Sequence, residues 1–291
     1  MTSSKARPIS RGKEIPEKLP IKKRWREKQG STMIISYKHK FIFIHCRKVA
    51  GTSIATLLSE FLGPNDIQVG TWASAYQRGM RPNKRFFFDL LDGSILSQII
   101  KIFLEKPSRI LTPQRIINVL NSVHEERYSK QFRSPVHPTA LEVRSFDEVA
   151  WDSFFKFCFV RNPYERAVSD YLFISRIRGL NISFLEFLKS LEMQIQSDVV
   201  FKKDFDNWPM YTINDVVSVD FVGRYENLNN DLKMVLNQIG LQKNNYELPS
   251  INTSPKKYNY KDFYTGKAEL ELVGKLFKKE IDYFGYAFTS P

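Results

Sequence analysis

The residues best suited to chemistry lie in two short segments, each at the end of an apolar run. One segment is the loop 47–53, which contains Lys48 and Gly51. The other begins at Arg161 and includes Ser169 eight residues later. Basic side chains, hydroxyls and main-chain N–H groups are the donors that phosphate and sulfate bind. Two segments of this kind predict two anion sites, which suits one ligand that carries two phosphates.

The first segment lies between a predicted strand and a predicted helix. The run Phe41–Cys46 is apolar and β-prone, whereas Ile54–Leu62 places apolar side chains at steps of three and four. A glycine-containing loop in this position directs N–H groups toward the helix N-terminus, where phosphate or sulfate can bind. On this loop alone, an ordinary turn with a surface lysine explains the residues equally well.

The second segment follows a predicted buried strand over 154–160. Asn162 is a favoured N-cap residue, Pro163 suits the first helical position and Glu165 the third. A helix should therefore begin here, with Ser169 about two turns along it. A structural ion pair of the arginine that precedes Asn162 stays open as the alternative to anion binding.

Strands alternate with helices along the chain, which predicts an α/β fold with three layers: a central, mainly parallel sheet flanked by helices. The remaining predicted elements are a strand over 216–222 and helices over 95–104, 113–123, 229–239 and 268–284. Residues 63–133 are less regular and predict a helical insertion. Ligands of an open parallel sheet bind beyond the carboxyl ends of its strands, where both Lys48 and Arg161 fall.

Composition describes a folded chain with excess positive charge. The 291 residues are 42% hydrophobic and 26% charged, and the net charge is +13. Residues 1–32 hold ten basic and three acidic side chains, a net of +7, and we expect a disordered basic tail followed by a single domain over 33–291. Cys46 and Cys158 are too few for a disulfide framework and lack metal-ligand spacing, so we expect buried thiols and no metal.

No apolar stretch approaches the ~20 residues of a membrane span, and the N-terminus has no apolar run of the secretory type. We therefore expect no transmembrane segment and a cytoplasmic setting. Peripheral contact with a membrane and the oligomeric state stay open.

Two other function classes compete for this chain. A P-loop nucleotide kinase or triphosphatase is disfavoured, because its signature places Lys after Gly, whereas Lys48 precedes Gly51. A non-catalytic nucleic-acid-binding protein is favoured only by the positive charge. No zinc finger, helix-turn-helix or RNA-binding motif accompanies that charge, and we expect no nucleic-acid partner.

Four ordered segments resemble the sulfotransferase family that includes the carbohydrate sulfotransferases. Residues 41–54, FIFIHCRKVAGTSI, are similar to its 5′-phosphosulfate loop, and residues 157–171, FCFVRNPYERAVSDY, to its 3′-phosphate motif. The other two segments are 219–241 and 258–288. The loop departs from the usual pattern because Cys46-Arg47 replaces Ile-Pro and Val49 replaces Thr.

The resemblance implies a P-loop-type fold and an enzyme that transfers a sulfuryl group from 3′-phosphoadenosine 5′-phosphosulfate (PAPS) to an acceptor hydroxyl or amine, without a metal. By the same resemblance, Arg161 and Ser169 would hold the 3′-phosphate. The residues implied for the 5′-phosphosulfate are Arg47, Lys48, Val49, Ala50, Gly51, Thr52 and Ser53. Arg224 and Lys257 are further candidates for the nucleotide, with an ion pair and a solvated loop as their respective alternatives.

Catalysis would fall to Lys48 and His137. His137, in PVHPTA, matches a family pattern of a histidine before Thr-Ala, and an imidazole suits the removal of a hydroxyl proton near neutral pH. A histidine bonded into a loop is the alternative, and His45 is the second candidate for the base. Family similarity and the 14% aromatic content favour a carbohydrate or lipid-linked sugar acceptor, selected by residues 63–133.

Overall fold

The computed structural model describes residues 33–105, 112–132, 137–197, 205–241, 248–249, 251 and 258–288. The predicted tail 1–32 and Lys257 lie outside these residues. The strands are β1 (Met33–Ser36), β2 (Phe41–Ile44), β3 (Ile67–Val69), β4 (Phe155–Val160), β5 (Thr212–Ile213), β6 (Val216–Val217) and β7 (Phe221–Arg224).

A five-stranded sheet in the order β3-β1-β2-β4-β7 forms the centre. Strands β2, β4 and β7 pair in parallel, whereas β1 is antiparallel to both of its neighbours and is the one reversed strand of this sheet. Ile44 pairs with Cys158, and Val160 pairs with Arg224. The residues that follow β2, β4 and β7 therefore emerge at one edge of the sheet.

Helices flank this sheet and confirm the mixed α/β class. Within the described part of the chain they are α1 (Gly51–Leu58), α2 (Trp72–Gln77), α3 (Lys84–Asp89), α4 (Gly93–Glu105), α5 (Pro113–Ser129), α6 (Ala140–Phe146), α7 (Glu148–Ser153), α8 (Pro163–Arg178), α9 (Phe184–Ser197), α10 (Trp208–Tyr211), α11 (Leu228–Gln238), α12 (Lys267–Leu276) and α13 (Lys278–Phe284). Short 3₁₀ turns occupy Tyr225–Asn227 and Tyr260–Phe263.

Two predicted elements differ from the structure. The strand predicted over 216–222 is divided, because β6 pairs with β5 in a separate hairpin and the sheet strand is β7. Asn214 and Asp215 form the hairpin turn with positive φ angles of 52° and 63°, a conformation that Asn and Asp tolerate. The helix predicted over 268–284 is interrupted at Phe277, which is buried against the guanidinium of Arg166 at 4.5 Å.

The core explains the position of the site. Every residue of β2 is fully buried, and β4 is buried from Lys156 onward. Cys46 and Cys158 are buried free thiols, as predicted. At β7, a Cβ on Gly223 would lie 2.4 Å from the ring of Phe159, so this strand can approach β4 closely only with glycine there. This tight packing holds the ends of β2, β4 and β7 in fixed relative positions.

Candidate functional site

The loop after β2 has a main chain suited to an anion. Lys48 and Ala50 both adopt left-handed conformations, with φ angles of 60° and 61°. Alternating left-handed residues turn successive N–H groups toward one concave face. Helix α1 then begins at Gly51, and its N-cap, Ala50, makes no side-chain hydrogen bond to the first turn. The first N–H groups of α1 are therefore left to a ligand or solvent.

Gly51 is required by a close contact with His45. A Cβ at this position would lie 1.8 Å from Cδ2 of the His45 ring. Burial, followed by the charges of Lys48 and Arg47, lowers the pKa of His45 to about 3. The ring is therefore neutral at physiological pH, and it packs against the loop at Gly51 without adding charge.

Arg47 is tied to distant parts of the chain. Its main-chain N–H donates to Oδ1 of Asn207 at 2.9 Å, and its carbonyl accepts from Nδ2 of Asn207 at 3.1 Å. Its buried guanidinium forms a 2.8 Å ion pair with Asp170 on α8 and lies 4.6 Å from the ring of Phe205. The structure thus directs the Arg47 side chain to α8, and direct contact of Arg47 with a ligand stays a prediction.

Lys48 combines burial with positive charge. Its Nζ lies 4.1 Å from the ring centre of Phe173, a favourable cation–π distance. In the described part of the chain, no carboxylate lies within ion-pair distance of Nζ. Burial lowers the pKa of Lys48 to about 8; the more distant Asp170 opposes this shift, and the charges of Arg47, Arg161 and Arg176 add to it. A bound anion would therefore stabilise the charged form of Lys48.

Arg161 joins the two predicted segments. It follows β4, and its Nη1 donates to the carbonyl of Lys48 at 3.3 Å. Its Nη2 pairs with Glu165 at 2.5 Å, and the guanidinium lies 4.1 Å from the ring of Tyr225. The ion pair offered as the alternative is therefore present, but the same arginine also contacts the loop 47–53, called here the anion loop. Its Nε is buried with no hydrogen-bond partner among the described residues.

Helix α8 begins as the sequence predicts. The Asn162 side chain caps it by accepting from the N–H of Tyr164 at 3.0 Å, and Pro163 occupies the first helical turn. Ser169 lies on this helix and is half-buried. Phe173 and Arg176 follow it at steps of four and three, and therefore share its face. Because Lys48 contacts Phe173, the face of α8 that carries Ser169 also lies against Lys48.

His137 lies beneath the same loop. Its Nδ1 is 2.9 Å from the carbonyl of His45, and the two imidazole rings meet edge to face with centres 5.0 Å apart. A carbonyl only accepts, so Nδ1 carries the proton and Nε2 keeps its lone pair. Burial, followed by the adjacent His45 ring and the charge of Arg47, holds the pKa of His137 well below 6.5. The ordinary pKa assumed from the sequence therefore does not apply, and the imidazole is neutral at pH 7.

The other predicted residues of the loop vary in what they offer. Val49 is fully buried in the main core, so its side chain is turned away from any ligand. Ser53 is buried, and its Oγ accepts from the N–H of Ile251 at 3.3 Å. Thr52 and Ala50 are half-buried at the mouth of the loop. The main chain and Lys48 therefore supply most of the donors.

Arg224 ends β7 near the C-terminal segment. Its Nη2 donates to the carbonyl of Phe284 at 3.0 Å, and its guanidinium lies 5.2 Å from the ring of Tyr286. Its main-chain N–H donates to Asp231 at 2.6 Å. These contacts fit a structural role for Arg224. In the described residues, however, its guanidinium binds a main-chain carbonyl and does not form the ion pair that was the alternative to nucleotide binding. Contact with a nucleotide stays a prediction for Arg224 and for Lys257.

Sequence reasoning missed Asp170, Phe173, Asn207 and Tyr225. Phe173 could have been found from its spacing to Ser169 on one helix face. Asn207 gave no such signal, because it contacts Arg47 across 160 residues of chain. The described residues contain no group of three or more His, Cys, Asp or Glu side chains placed to hold a metal. None of the helices in the described ranges combines the length and the apolar character needed to cross a membrane.

Comparison with known proteins agrees with this geometry. Residues 31–287 match the sulfotransferase family, which covers most of the chain. An uncharacterized protein of Archaeoglobus fulgidus is 41% identical over 95 residues, which are 31% of this chain and 72% of the archaeal protein. No solved structure matches the chain significantly. The match over residues 31–287, with strand ends that carry Lys48 and Arg161, means that the chain belongs to the sulfotransferase family.

Proposed function

We propose that the protein transfers a sulfuryl group from PAPS to a hydroxyl or amine of a carbohydrate or lipid-linked sugar. Family membership supports sulfuryl transfer in general. The observation that carries the choice of donor is the hydrogen bond between Arg161 and the carbonyl of Lys48. It places two cationic strand ends side by side, as a donor with phosphate at both ends requires.

The residues present fit such a donor. The loop 47–53 would hold the 5′-phosphosulfate through its N–H groups and Lys48, whose ammonium has no carboxylate partner in the described ranges. Arg161 and Ser169 would hold the 3′-phosphate. The aromatic ring of Tyr225, 4.1 Å from the guanidinium of Arg161, would border the nucleotide. No part of this arrangement calls for a metal.

The donor supplies an activated sulfuryl group, and the side chains supply charge and a base. As the acceptor oxygen or nitrogen forms its bond to sulfur, the bond between sulfur and the bridging phosphate oxygen breaks. Lys48 and the loop N–H groups stabilise the negative charge that grows on the bridging oxygen. Nε2 of His137 takes the acceptor proton, because Nδ1 is occupied by the His45 carbonyl. Adenosine 3′,5′-bisphosphate is the second product.

A radiochemical transfer assay tests this function. The protein is incubated with PAPS labelled in the sulfuryl group and with desulfated glycans, oligosaccharides and lipid-linked sugars as acceptors. Lys48→Met should reduce transfer at least about 100-fold, the usual cost of losing one transition-state donor. Lys233→Met, which removes an exposed lysine of α11, is the matched control and should leave transfer unchanged. Label transfer from ATP instead of PAPS would support a kinase and contradict the proposal.

His137 is tested separately from the donor site. His137→Gln keeps a hydrogen-bond donor of similar size but removes the basic nitrogen. We expect this variant to bind adenosine 3′,5′-bisphosphate as the unaltered protein does and to lose transfer. Unchanged transfer would exclude His137 as the base while leaving the proposed donor intact.

A further inference from the structure

A group of large apolar side chains is exposed on helices α3 and α4 and the residues between them. Their exposed fractions range from 42% to 77%. The members of this group, called here the α3–α4 face, are Phe87, Phe88, Leu91, Leu96, Ile100 and Leu104. Isolated exposed apolar residues are ordinary, whereas six of them within 18 residues of chain are typical of an interaction surface.

Helix α4 is apolar over a wider arc than the part that packs against the rest of the protein. At 100° per residue, the apolar residues of α4 cover an arc of about 200°, twice the width that a surface helix buries. Ile95 and Ile99 fill the inner half and pack in a local core with Trp72. Leu96, Ile100 and Leu104 follow one another at steps of four and form the outer half. The helix therefore has one satisfied apolar face and one that faces outward.

Charge around the face is positive. Residues 78–105 contain five basic and three acidic side chains. Arg78, Arg81 and Lys84 are exposed, and Lys84 lies one turn from Phe88 on α3. The whole chain carries +13. Exposed basic side chains that lie next in sequence to exposed apolar side chains are complementary to an anionic lipid surface.

The acidic residues of this region are already paired. Asp89 is buried and accepts from Arg85 at 2.9 Å and from the Tyr128 hydroxyl at 2.6 Å. Asp92 forms a 3.2 Å ion pair with Arg127, and Glu105 lies 3.8 Å from Lys101. These pairs neutralise the three carboxylates of residues 78–105, while Glu126 on α5 accepts a hydrogen bond from Gln98 of α4 at 3.0 Å. A second copy of the chain is the less suitable occupant, because two molecules of charge +13 repel each other.

We propose that the α3–α4 face docks on the surface of an anionic lipid bilayer. Phe88, Leu91 and Leu104 enter the boundary between headgroups and acyl chains, and the basic side chains of 78–84 contact lipid phosphates. The proposal does not depend on the catalytic assignment, because it uses no residue of the anion loop. It describes docking in the plane of the interface without insertion of a helix across it.

Sedimentation with lipid vesicles tests the proposal on the full chain. One set of vesicles contains phosphatidylcholine alone, and the other also contains about 30% phosphatidylglycerol. We expect binding only to the second set, with weaker binding at high salt. The triple variant Phe88→Ser, Leu91→Ser, Leu104→Ser should bind the anionic vesicles at least about tenfold more weakly, because binding scales with buried apolar area.

A matched triple variant separates this face from general surface hydrophobicity. Val149→Ser, Val216→Ser, Met234→Ser removes three side chains exposed by 52% to 79% elsewhere on the protein, and we expect it to bind as the unaltered chain does. Far-ultraviolet circular dichroism and Tm confirm that both triple variants are folded. Equal binding by both would overturn the proposal and assign vesicle binding to charge alone, including that of the N-terminal segment. A dimer in light scattering that only the first triple variant abolishes would overturn it in favour of self-association.

Discussion

The side-chain amide of Asn207 forms both main-chain hydrogen bonds of Arg47, accepting from its N–H and donating to its carbonyl. Asn207 is fully buried and thus serves as a substitute for a neighbouring strand at the point where β2 has ended. Arg161 holds the next carbonyl, that of Lys48. The main chain of the anion loop is therefore fixed before a ligand arrives, which is the condition for electrostatic preorganisation.

Asn207→Ala should loosen the loop. The substitution leaves a buried N–H and a buried carbonyl without partners, and each such group costs about 1–3 kcal/mol. We expect a lower free energy of unfolding and weaker binding of adenosine 3′,5′-bisphosphate, measured by urea denaturation and calorimetry. Asn237→Ala, an exposed asparagine of α11, is the control. Nucleotide binding that is unaffected by Asn207→Ala would show that the hydrogen bonds of Asn207 to Arg47 do not shape the site.

Asp170→Asn should be more damaging than the loss of the whole ion pair. The Arg47–Asp170 pair is buried, and removing one partner of such a pair costs about 3–5 kcal/mol because the other charge loses its compensation. The double variant Arg47→Met, Asp170→Leu should recover part of the lost stability. Chemical denaturation of the single and double variants measures the coupling, and strictly additive effects would contradict it.

Gly51→Ala should disturb the start of α1 through His45. The added Cβ overlaps the imidazole ring, and overpacking of this kind costs about 1–3 kcal/mol. Gly93→Ala is the matched control, since nothing lies within 4 Å of the Cβ that would be added there. A second substitution, His45→Ala, should relieve the overlap and restore Tm toward that of His45→Ala alone. Equal Tm values for Gly51→Ala and Gly93→Ala would disprove the contact.

The kcat/KM for PAPS should decrease as the pH rises above about 8. Lysine is charged below its pKa, and the pKa of Lys48 is lowered to about 8, so its positive charge is lost as the pH rises through that value. Between about pH 6 and 7 the rate should be flat, because His137 titrates well below 6.5 and is already neutral. Lys48→Arg should move the alkaline fall to higher pH. An acidic fall centred near 6.5 would mean that a group other than buried His137 is the base.

Local signals predicted the elements around the site well. The apolar run before Lys48, the helical spacing after it and the Asn162-Pro163 start of α8 are all encoded within a few residues, and the structure confirms each one. The strands β1 and β3 were not predicted, because β1 offers three consecutive apolar residues and β3 only two, separated by Gln68, whereas the predicted β2 lies in a run of six.

Long-range contacts account for most of the remaining differences. The Asn207–Arg47 hydrogen bonds and the Arg47–Asp170 ion pair join residues 160 and 123 positions apart, respectively. No local pattern in the sequence predicts such partners. The pKa values of Lys48 and His137 depend on burial, which only the assembled fold determines. For this reason the residue types of the site could be chosen from the sequence, whereas their protonation could not.

Thermal unfolding with adenosine 3′,5′-bisphosphate, compared with AMP and ATP–Mg, tests whether this site binds PAPS. At 100 times its Kd, a ligand of the native state adds about 2.7 kcal/mol of stability. We expect this gain with the bisphosphate alone, its disappearance in Arg161→Ala, and its retention in Arg144→Ala, a control at a half-buried arginine of α6 that pairs with Glu148. Stabilisation by ATP–Mg alone, or an equal gain from the bisphosphate in Arg161→Ala, would contradict the assignment of this site to PAPS.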